Sequence, residues 1–178
     1  MKRHLPYILL MAAIVVLDQG TKAIVVRSLA LHEYVPLVDG LLSLSHVHNR
    51  GAAFGLLSDW DVPYQSVLLS VLSLCALAAI ALYFVRLPPA ARLPRAARAL
   101  VLGGAGGNLI DRARLGYVVD FVHAYWREHQ WPDFNLADSA ITVGVALLVL
   151  DILRSSETSP AGAKPGINAA APTAERID

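Results

Sequence analysis

Two aspartates stand at the edges of apolar segments, where a charged side chain is costly to place. Asp120 follows one such segment, in Gly-Tyr-Val-Val-Asp-Phe, and Asp138 begins the next, in Phe-Asn-Leu-Ala-Asp-Ser. A carboxylate at the border of hydrocarbon usually faces a polar site rather than lipid. Two carboxylates that share a proton can act as base and acid, so that one activates water and the other protonates a peptide bond. The pair is therefore a candidate catalytic dyad; the alternative is two unrelated aspartates, with Asp138 capping a helix.

Polar residues at helical spacing accompany this pair. Asn108 and Arg112 are four apart in Gly-Gly-Ala-Gly-Gly-Asn-Leu-Ile-Asp-Arg, so they share a helical face and can orient a carboxylate or a substrate carbonyl. The glycines favour close helix packing, and the alternative is a packing helix that ends in an interfacial Asp-Arg pair. Asn135 precedes Asp138 by three residues. It either hydrogen-bonds the pair or the substrate, or serves as a helix N-cap.

Two earlier segments also carry candidate residues. Asp18 and Lys22 have the favourable acid-before-base spacing on a helix. If they are buried, each needs a charged partner, and we expect them to hold the outer loop or a neighbouring helix. Asn49 begins Asn-Arg-Gly-Ala-Ala-Phe-Gly, whose small residues predict a tight re-entrant turn. Its amide offers both a donor and an acceptor to a site.

Other catalytic classes have no matching pattern in this sequence. His46 and His48 share a strand face, but no carboxylate or cysteine stands at ligand spacing, so no metal site is expected. His-Glu-x-x-His and Gly-x-Ser-x-Gly are both missing. Cys75 is the single cysteine and lies in an apolar run, where a nucleophilic thiolate is disfavoured. The residue patterns therefore predict no metal site.

The composition is that of a membrane protein. Of 178 residues, 56% are hydrophobic and 16% are charged, whereas soluble domains carry about 25% charged residues. No clustered basic face indicates a nucleic-acid partner. The predicted fold class is an all-α membrane protein with four transmembrane helices, and the predicted spans are residues 7–26, 67–85, 96–110 and 136–153.

The connections between these spans predict the remaining architecture. Two short apolar runs within residues 35–47 flank Asp39-Gly40, which predicts a β-hairpin in the first extracytoplasmic loop, resting on the outer membrane face. Residues 155–178 are rich in Ala, Pro, Gly, Ser and Thr, which predicts a disordered tail after a membrane domain over residues 1–154. Basic residues place both termini in the cytoplasm; those that decide the orientation are Lys2, Arg3, Arg86, Arg92, Arg95, Arg98, Arg154 and Lys164.

Taken together, these motifs resemble the lipoprotein signal peptidase family, signal peptidase II. The resemblance covers roughly residues 5–153 and rests on five motifs in order. They are Asp-Gln-Gly-Thr-Lys (18–22), Asn-Arg-Gly-Ala-Ala-Phe-Gly (49–55), Gly-Gly-Ala-Gly-Gly-Asn-Leu-Ile-Asp-Arg (103–112), Gly-Tyr-Val-Val-Asp-Phe (116–121) and Phe-Asn-Leu-Ala-Asp-Ser (134–139).

The resemblance implies an intramembrane aspartic endopeptidase of the bacterial inner membrane. Its substrate would be a prolipoprotein with a diacylglyceryl-modified cysteine, cut just before that cysteine near the extracytoplasmic face, by a monomer in contact with membrane lipid. Asp120 and Asp138 would be catalytic. The residues that would line or support the site are Asn49, Asn108, Arg112, Asn135, Asp18 and Lys22.

Two other classes of protein fit parts of the pattern. Intramembrane carboxylates and a glycine-rich helix also suit a small proton-coupled carrier. Four short spans leave little room for alternating access, however, and no inverted repeat is found. A structural membrane subunit with charged contacts between helices is the third reading. Replacing either aspartate by asparagine distinguishes the three, since a peptidase loses turnover, a carrier loses transport and a structural subunit loses folding or assembly.

Overall fold

The structure is a computed structural model that describes residues 4–51, 71 and 92–157. The predicted second span (67–85) apart from residue 71, Cys75, and residues 52–55 of the re-entrant motif lie outside this part of the chain. The described residues form three helices and a four-stranded antiparallel sheet. In chain order these are α1 (Leu5–Ser28), β1 (Tyr34–Val38), β2 (Leu42–Asn49), α2 (Arg92–Leu115), β3 (Val118–Trp126), β4 (His129–Gln130) and α3 (Leu136–Glu157).

Two helices of the described part are long and apolar enough to cross a membrane, over Leu5–Ser28 and Leu136–Arg154. They contain the predicted first and fourth spans. The predicted third span lies in helix α2. This helix carries basic residues at both ends, and it is not one of the two helices that are long and apolar enough to cross a membrane. The four-span architecture therefore stays a prediction. Helix α3 also continues to Glu157, three residues into the segment predicted as a disordered tail, and that tail stays a prediction.

The glycine-rich segment of α2 lets the three helices approach closely, as the sequence predicted. A Cβ atom at Gly104 would collide with the backbone carbonyl oxygen of Ala137 on α3. A Cβ atom at Gly107 would lie 2.5 Å from a carboxylate oxygen of Asp18 on α1. The polar ends of α1 and α3 are thereby drawn against the same stretch of α2, which is where the candidate site forms.

The predicted hairpin is present. Strands β1 and β2 pair antiparallel about Asp39-Gly40, and Gly40 has a φ of 75°, a backbone conformation that favours glycine. Strand β3 was not predicted; it pairs with β2 and carries Asp120 opposite Val47. The chain then returns to β3 before α3 begins, where the Phe134 and Val122 backbones exchange hydrogen bonds of 2.8 and 3.0 Å. This return places the start of α3 beside Asp120.

Candidate active site

Asp120 and Asp138 are both buried and are joined through one residue. Asp120 is 1% exposed on β3, and Asp138 is 5% exposed in the first turn of α3. The Asn135 side-chain nitrogen donates to Asp120 Oδ1 at 2.6 Å, and the Asn135 backbone N–H donates to Asp138 Oδ2 at 3.2 Å. The structure therefore brings the two predicted aspartates to opposite sides of Asn135.

Asn135 is the N-cap of α3, and both of its predicted roles hold. The Asp138 backbone N–H donates to Asn135 Oδ1 at 2.9 Å while the Asp138 carboxylate accepts from the Asn135 backbone. These reciprocal bonds form a capping box, in which the N-cap residue and the residue three positions later satisfy each other's N–H groups. Asp138 thus belongs to the cap, although it is not the N-cap itself as the alternative reading proposed.

Two further asparagines donate to the carboxylates. Asn49, at the end of β2, donates to Asp120 Oδ2 at 2.8 Å, while its own carbonyl oxygen accepts from the Gly51 backbone. Asn108, on α2, donates to Asp138 Oδ1 at 2.8 Å. Each carboxylate oxygen therefore accepts a hydrogen bond from a fixed amide. Hydrogen bonds from amides stabilise the charged form of a carboxylate, which partly offsets the cost of burying it.

Burial and the neighbouring carboxylate give Asp120 an unusual acidity. Burial raises the pKa of the Asp120 carboxyl from 3.8 to about 7, and the charge of Asp138 adds to the increase. Hydrogen bonds from Asn49 and Asn135 and the charge of Lys22 act in the opposite direction. An aspartate that titrates near neutral pH suits general acid or base catalysis.

Lys22 lies in a buried cluster that links the three helices. Its ammonium nitrogen is 2.8 Å from an Asp18 carboxylate oxygen, 2.9 Å from an Asp111 carboxylate oxygen and 3.0 Å from the side-chain carbonyl oxygen of Asn108. Asp18 also accepts the Ala137 backbone N–H at 3.0 Å, so it satisfies a donor at the N-terminus of α3. The Asp18–Lys22 pair therefore holds the neighbouring helices, which was one of its two expected roles.

Arg112 shares a helix with Asn108, but no hydrogen bond or ion pair joins it to a carboxylate within the described part of the chain. Its guanidinium donates to the backbone carbonyl of Gly51 at 3.0 Å, which fixes the segment that follows Asn49. Asp111 faces Lys22 and accepts from the Val119 backbone N–H at 3.2 Å. Asp111 and Arg112 therefore face different groups.

Two residues of the cluster were not among the predicted site residues. Asp111 is 3% exposed and is the second partner of Lys22. Gln19 donates to Asp111 at 2.8 Å and to the Gly107 carbonyl oxygen at 3.2 Å. Asp111 stands three residues after Asn108, on the same side of a helix. That spacing was the available signal for placing it near the site.

An apolar cavity of about 280 Å³ opens next to Asp138. Aromatic and aliphatic side chains form most of its wall, and it follows the outer surface of the first two turns of α3. Within the described ranges, no cluster of three His, Cys, Asp or Glu side chains is arranged to hold a metal ion. The residues that line the cavity are Trp131, Phe134, Asp138, Ser139, Thr142 and Val143.

Comparison with known proteins gives a consistent result. The family described as Signal peptidase (SPase) II matches residues 10–154. A lipoprotein signal peptidase of Geobacter metallireducens is 49% identical over 143 residues, which are 80% of this chain and 87% of that protein. A lipoprotein signal peptidase of Geobacillus kaustophilus is 45% identical over 142 residues, which are 80% of this chain and 89% of that protein.

Solved structures resemble the fold over nearly its whole length. A bacterial membrane enzyme determined by the in meso method at 2.3 Å resolution superposes with a TM-score of 0.77. It is 29% identical, and the match covers 89% of this chain and 94% of that one. The fold, with apolar helices, a small antiparallel sheet and buried carboxylates, is that of a small membrane enzyme. The family match is more specific: the chain belongs to the signal peptidase II family, and it is a peptidase.

Proposed function

We propose that the chain is an intramembrane aspartic endopeptidase that removes signal peptides from diacylglyceryl-modified prolipoproteins. Cleavage falls just before the lipidated cysteine, and Asp120 and Asp138 carry the reaction. One observation supports this proposal above the others: Asn135 bonds both carboxylates, at 2.6 Å and 3.2 Å, inside a buried site. Two acids held by one residue, with a pKa of about 7 at Asp120, provide a proton donor and a proton acceptor near neutral pH.

The reaction divides between the two acids. The ionised carboxylate takes a proton from water, and the resulting hydroxide adds to the scissile carbonyl carbon. The protonated carboxyl supports the carbonyl oxygen and then gives its proton to the leaving amine. The C–N bond breaks, and the products are a free carboxyl terminus on the signal peptide and a free amine on the lipidated cysteine. No metal or cofactor takes part in this scheme.

The apolar cavity beside Asp138 supports a lipidated substrate. A signal peptide is an apolar helix, so it can approach sideways through the bilayer, and the acyl chains hold its cysteine near the membrane surface. The scissile bond is then restricted to one depth, and such positioning can lower much of the barrier. The wall between Trp131 and Val143 offers apolar contacts next to the Asp138 carboxylate.

The remaining features of the proposal concern placement in the cell. The enzyme acts as a monomer in the bacterial inner membrane, with four spans and both termini in the cytoplasm, and the site opens near the outer face. The hairpin of β1 and β2 contacts substrate from above; it leads into the site because Asn49 at its end bonds Asp120. Deleting residues 35–47 tests this role, which is wrong if the inserted protein still cleaves at the normal rate.

Cleavage by purified protein tests the catalytic assignment. The full chain, Asp120→Asn and Asp138→Asn are each mixed in lipid with a diacylglyceryl-modified prolipoprotein, and the products are analysed by mass spectrometry. We expect the unmodified chain to cut before the lipidated cysteine. Each variant should bind substrate and unfold cooperatively but lose turnover at least about a thousandfold, because the acid and the base act as one unit.

Glu128→Gln is the matched control, since this exposed acid lies in the turn between β3 and β4, outside the hairpin and the site. Its cleavage should stay at the unmodified rate. Normal turnover by Asp120→Asn or Asp138→Asn would reject the dyad. If the unmodified chain fails to cut the lipidated substrate, the substrate assignment is wrong. Loss of ion transport in the two variants would favour the carrier.

A further inference from the structure

Lys22 has every hydrogen-bond donor of its side chain in use. An ammonium group has three N–H donors and no acceptor. Lys22 directs them to Asp18 at 2.8 Å, Asp111 at 2.9 Å and the Asn108 carbonyl oxygen at 3.0 Å. All four side chains are buried, and the most exposed of them, Asn108, is 7% exposed. Because Lys22 can only donate, the side-chain amide of Asn108 must turn its carbonyl oxygen, and not its NH₂ group, toward Lys22.

This contact fixes which end of Asn108 meets Asp138. The two ends of an asparagine amide have almost the same shape, so neighbouring groups determine its orientation. With the carbonyl oxygen held by Lys22 and, at 3.2 Å, by the Asn135 side chain, the NH₂ group points to Asp138 Oδ1 at 2.8 Å. A donor that cannot turn away favours a carboxylate that carries negative charge.

We propose that Lys22 is a positioning residue that orients the Asn108 amide toward Asp138, so that Asp138 is ionised and Asp120 holds the proton in the resting enzyme. This inference rests on the proposed dyad. It also assigns new supporting roles to Asp111 and Gln19, which hold Lys22 in place. Lys22 acts through Asn108 and does not touch the substrate.

The surroundings of Asp138 favour a negative charge more than those of Asp120 do. Asp138 lies in the first turn of α3 and accepts a backbone N–H of the capping box, where the helix dipole favours an anion. Asp120 lies on a strand and is 1% exposed. Other charges that act on the pair come from Asp18, Lys22 and Arg112, and the charge of Lys22 acts on both acids. Arg112 interacts with both acids, so it does not select one of them.

A charge-matched variant tests the role of Lys22 without leaving unbalanced carboxylates in the core. Lys22→Met alone would leave Asp18 and Asp111 facing each other without a cation. Lys22→Met combined with Asp111→Asn keeps the net charge of the cluster while removing the donor to Asn108. We expect kcat to fall about 10–100-fold from the misplaced acid, with KM changed less than about threefold because substrate contacts remain. Arg27→Met, on the exposed side of α1, is the control and should cleave at the unmodified rate.

A double-mutant comparison checks that Lys22 acts through Asn108. Asn108→Leu removes the same bond to Asp138 while leaving the ion pairs of Lys22 in place. Adding it to the charge-matched variant should reduce kcat no further than the larger single effect, since both changes remove one interaction. If the kcat reductions of the two variants multiply in the combined variant, the two changes act independently and the inference is overturned. Normal kcat in the charge-matched variant would also overturn it.

Infrared spectroscopy locates the proton without any substrate. At pH 5.5, the carboxylic C=O band of a buried protonated acid should be present in the unmodified chain and in Asp138→Asn, and absent in Asp120→Asn. Retention of the band in Asp120→Asn together with its loss in Asp138→Asn would place the proton on Asp138 and reject the inference. Because this measurement needs no cleavage, it separates failure of the inference from failure of the proposed function.

Discussion

The buried Asp120 carboxyl should make the stability of the protein depend on pH, and Asp120→Asn should remove that dependence. Burial and the charge of Asp138 raise the pKa of Asp120 from 3.8 to about 7. The folded state therefore binds this proton more tightly than the unfolded state does. The resulting stabilisation is fully present below about pH 4 and is lost as the pH rises through about 7.

The size of the effect follows from the two pKa values. A rise from 3.8 to about 7 corresponds to ~4 kcal/mol of stability lost across that pH range. For a chain of this size, 1 kcal/mol changes Tm by about 2–4 °C, so Tm should fall on the order of 10 °C. Asparagine adds a constant cost of about 1–3 kcal/mol, because its NH₂ group faces a donor from Asn49 or Asn135. The slope against pH is therefore the quantity to compare.

Thermal unfolding followed by tryptophan fluorescence measures this slope. The full chain, Asp120→Asn and Asp39→Asn are compared in one detergent at fixed ionic strength between pH 4.5 and 8. We expect the unmodified chain and Asp39→Asn to lose stability in parallel, because Asp39 is exposed. The profile of Asp120→Asn should be much shallower. If its profile runs parallel to that of the unmodified chain, Asp120 titrates as an ordinary carboxyl and the argument from burial is refuted.

Two further predictions concern packing and capping. Gly104→Ala should lower the free energy of unfolding by about 1–3 kcal/mol through overpacking against the Ala137 carbonyl oxygen. Gly106→Ala is the comparison in the same unfolding assay: among the described residues its Cβ would meet only Val15, at 3.7 Å, so the higher helix propensity of alanine should raise the free energy of unfolding by up to about 1 kcal/mol. Equal effects would contradict the packing argument. Asn135→Ser should keep the helix cap but lose the donor to Asp120, so its free energy of unfolding should exceed that of Asn135→Ala by about 1 kcal/mol, while both variants lose turnover. Normal turnover in Asn135→Ser would show that the mechanism does not need the Asn135 donor.

Local signals in the sequence were sufficient for the hairpin and for the apolar helices. Asp39-Gly40 between two apolar runs specifies a turn because glycine adopts a positive φ without strain, and the structure has Gly40 at 75°. The capping box was also readable, since Asn135 and Asp138 have its three-residue spacing. Each of these features depends on residues that are neighbours in the chain, which explains why the pattern alone predicted the hairpin and the N-cap, although the reciprocal capping box was not predicted.

Strand β3 carried a signal that was not used. The segment Val-Val-Asp-Phe-Val-His-Ala-Tyr-Trp is rich in β-branched and aromatic residues and follows Gly116, whose φ is 79°. Asp120 was therefore predicted as a site residue, but its position on a strand was not predicted. The Lys22–Asp111 contact is different in kind, because it joins two helices that are distant in the chain. Spacing within α1 identified Asp18 as a partner of Lys22 and could not identify the second.

The orientation of the three asparagines gives the site a fixed electrostatic direction. The carbonyl oxygens of Asn49 and Asn135 accept backbone N–H groups, and that of Asn108 accepts the Lys22 ammonium. None of these partners can act as an acceptor, so all three amides must direct their NH₂ groups at carboxylates. The donors are already oriented before a substrate arrives, and they need not reorganise as charge moves between the two acids. Replacing the asparagine that donates to one acid, in order to change the pKa of that acid, would therefore also disturb the backbone or the helix cluster that holds the asparagine. The acidity of the pair thus depends on the fold.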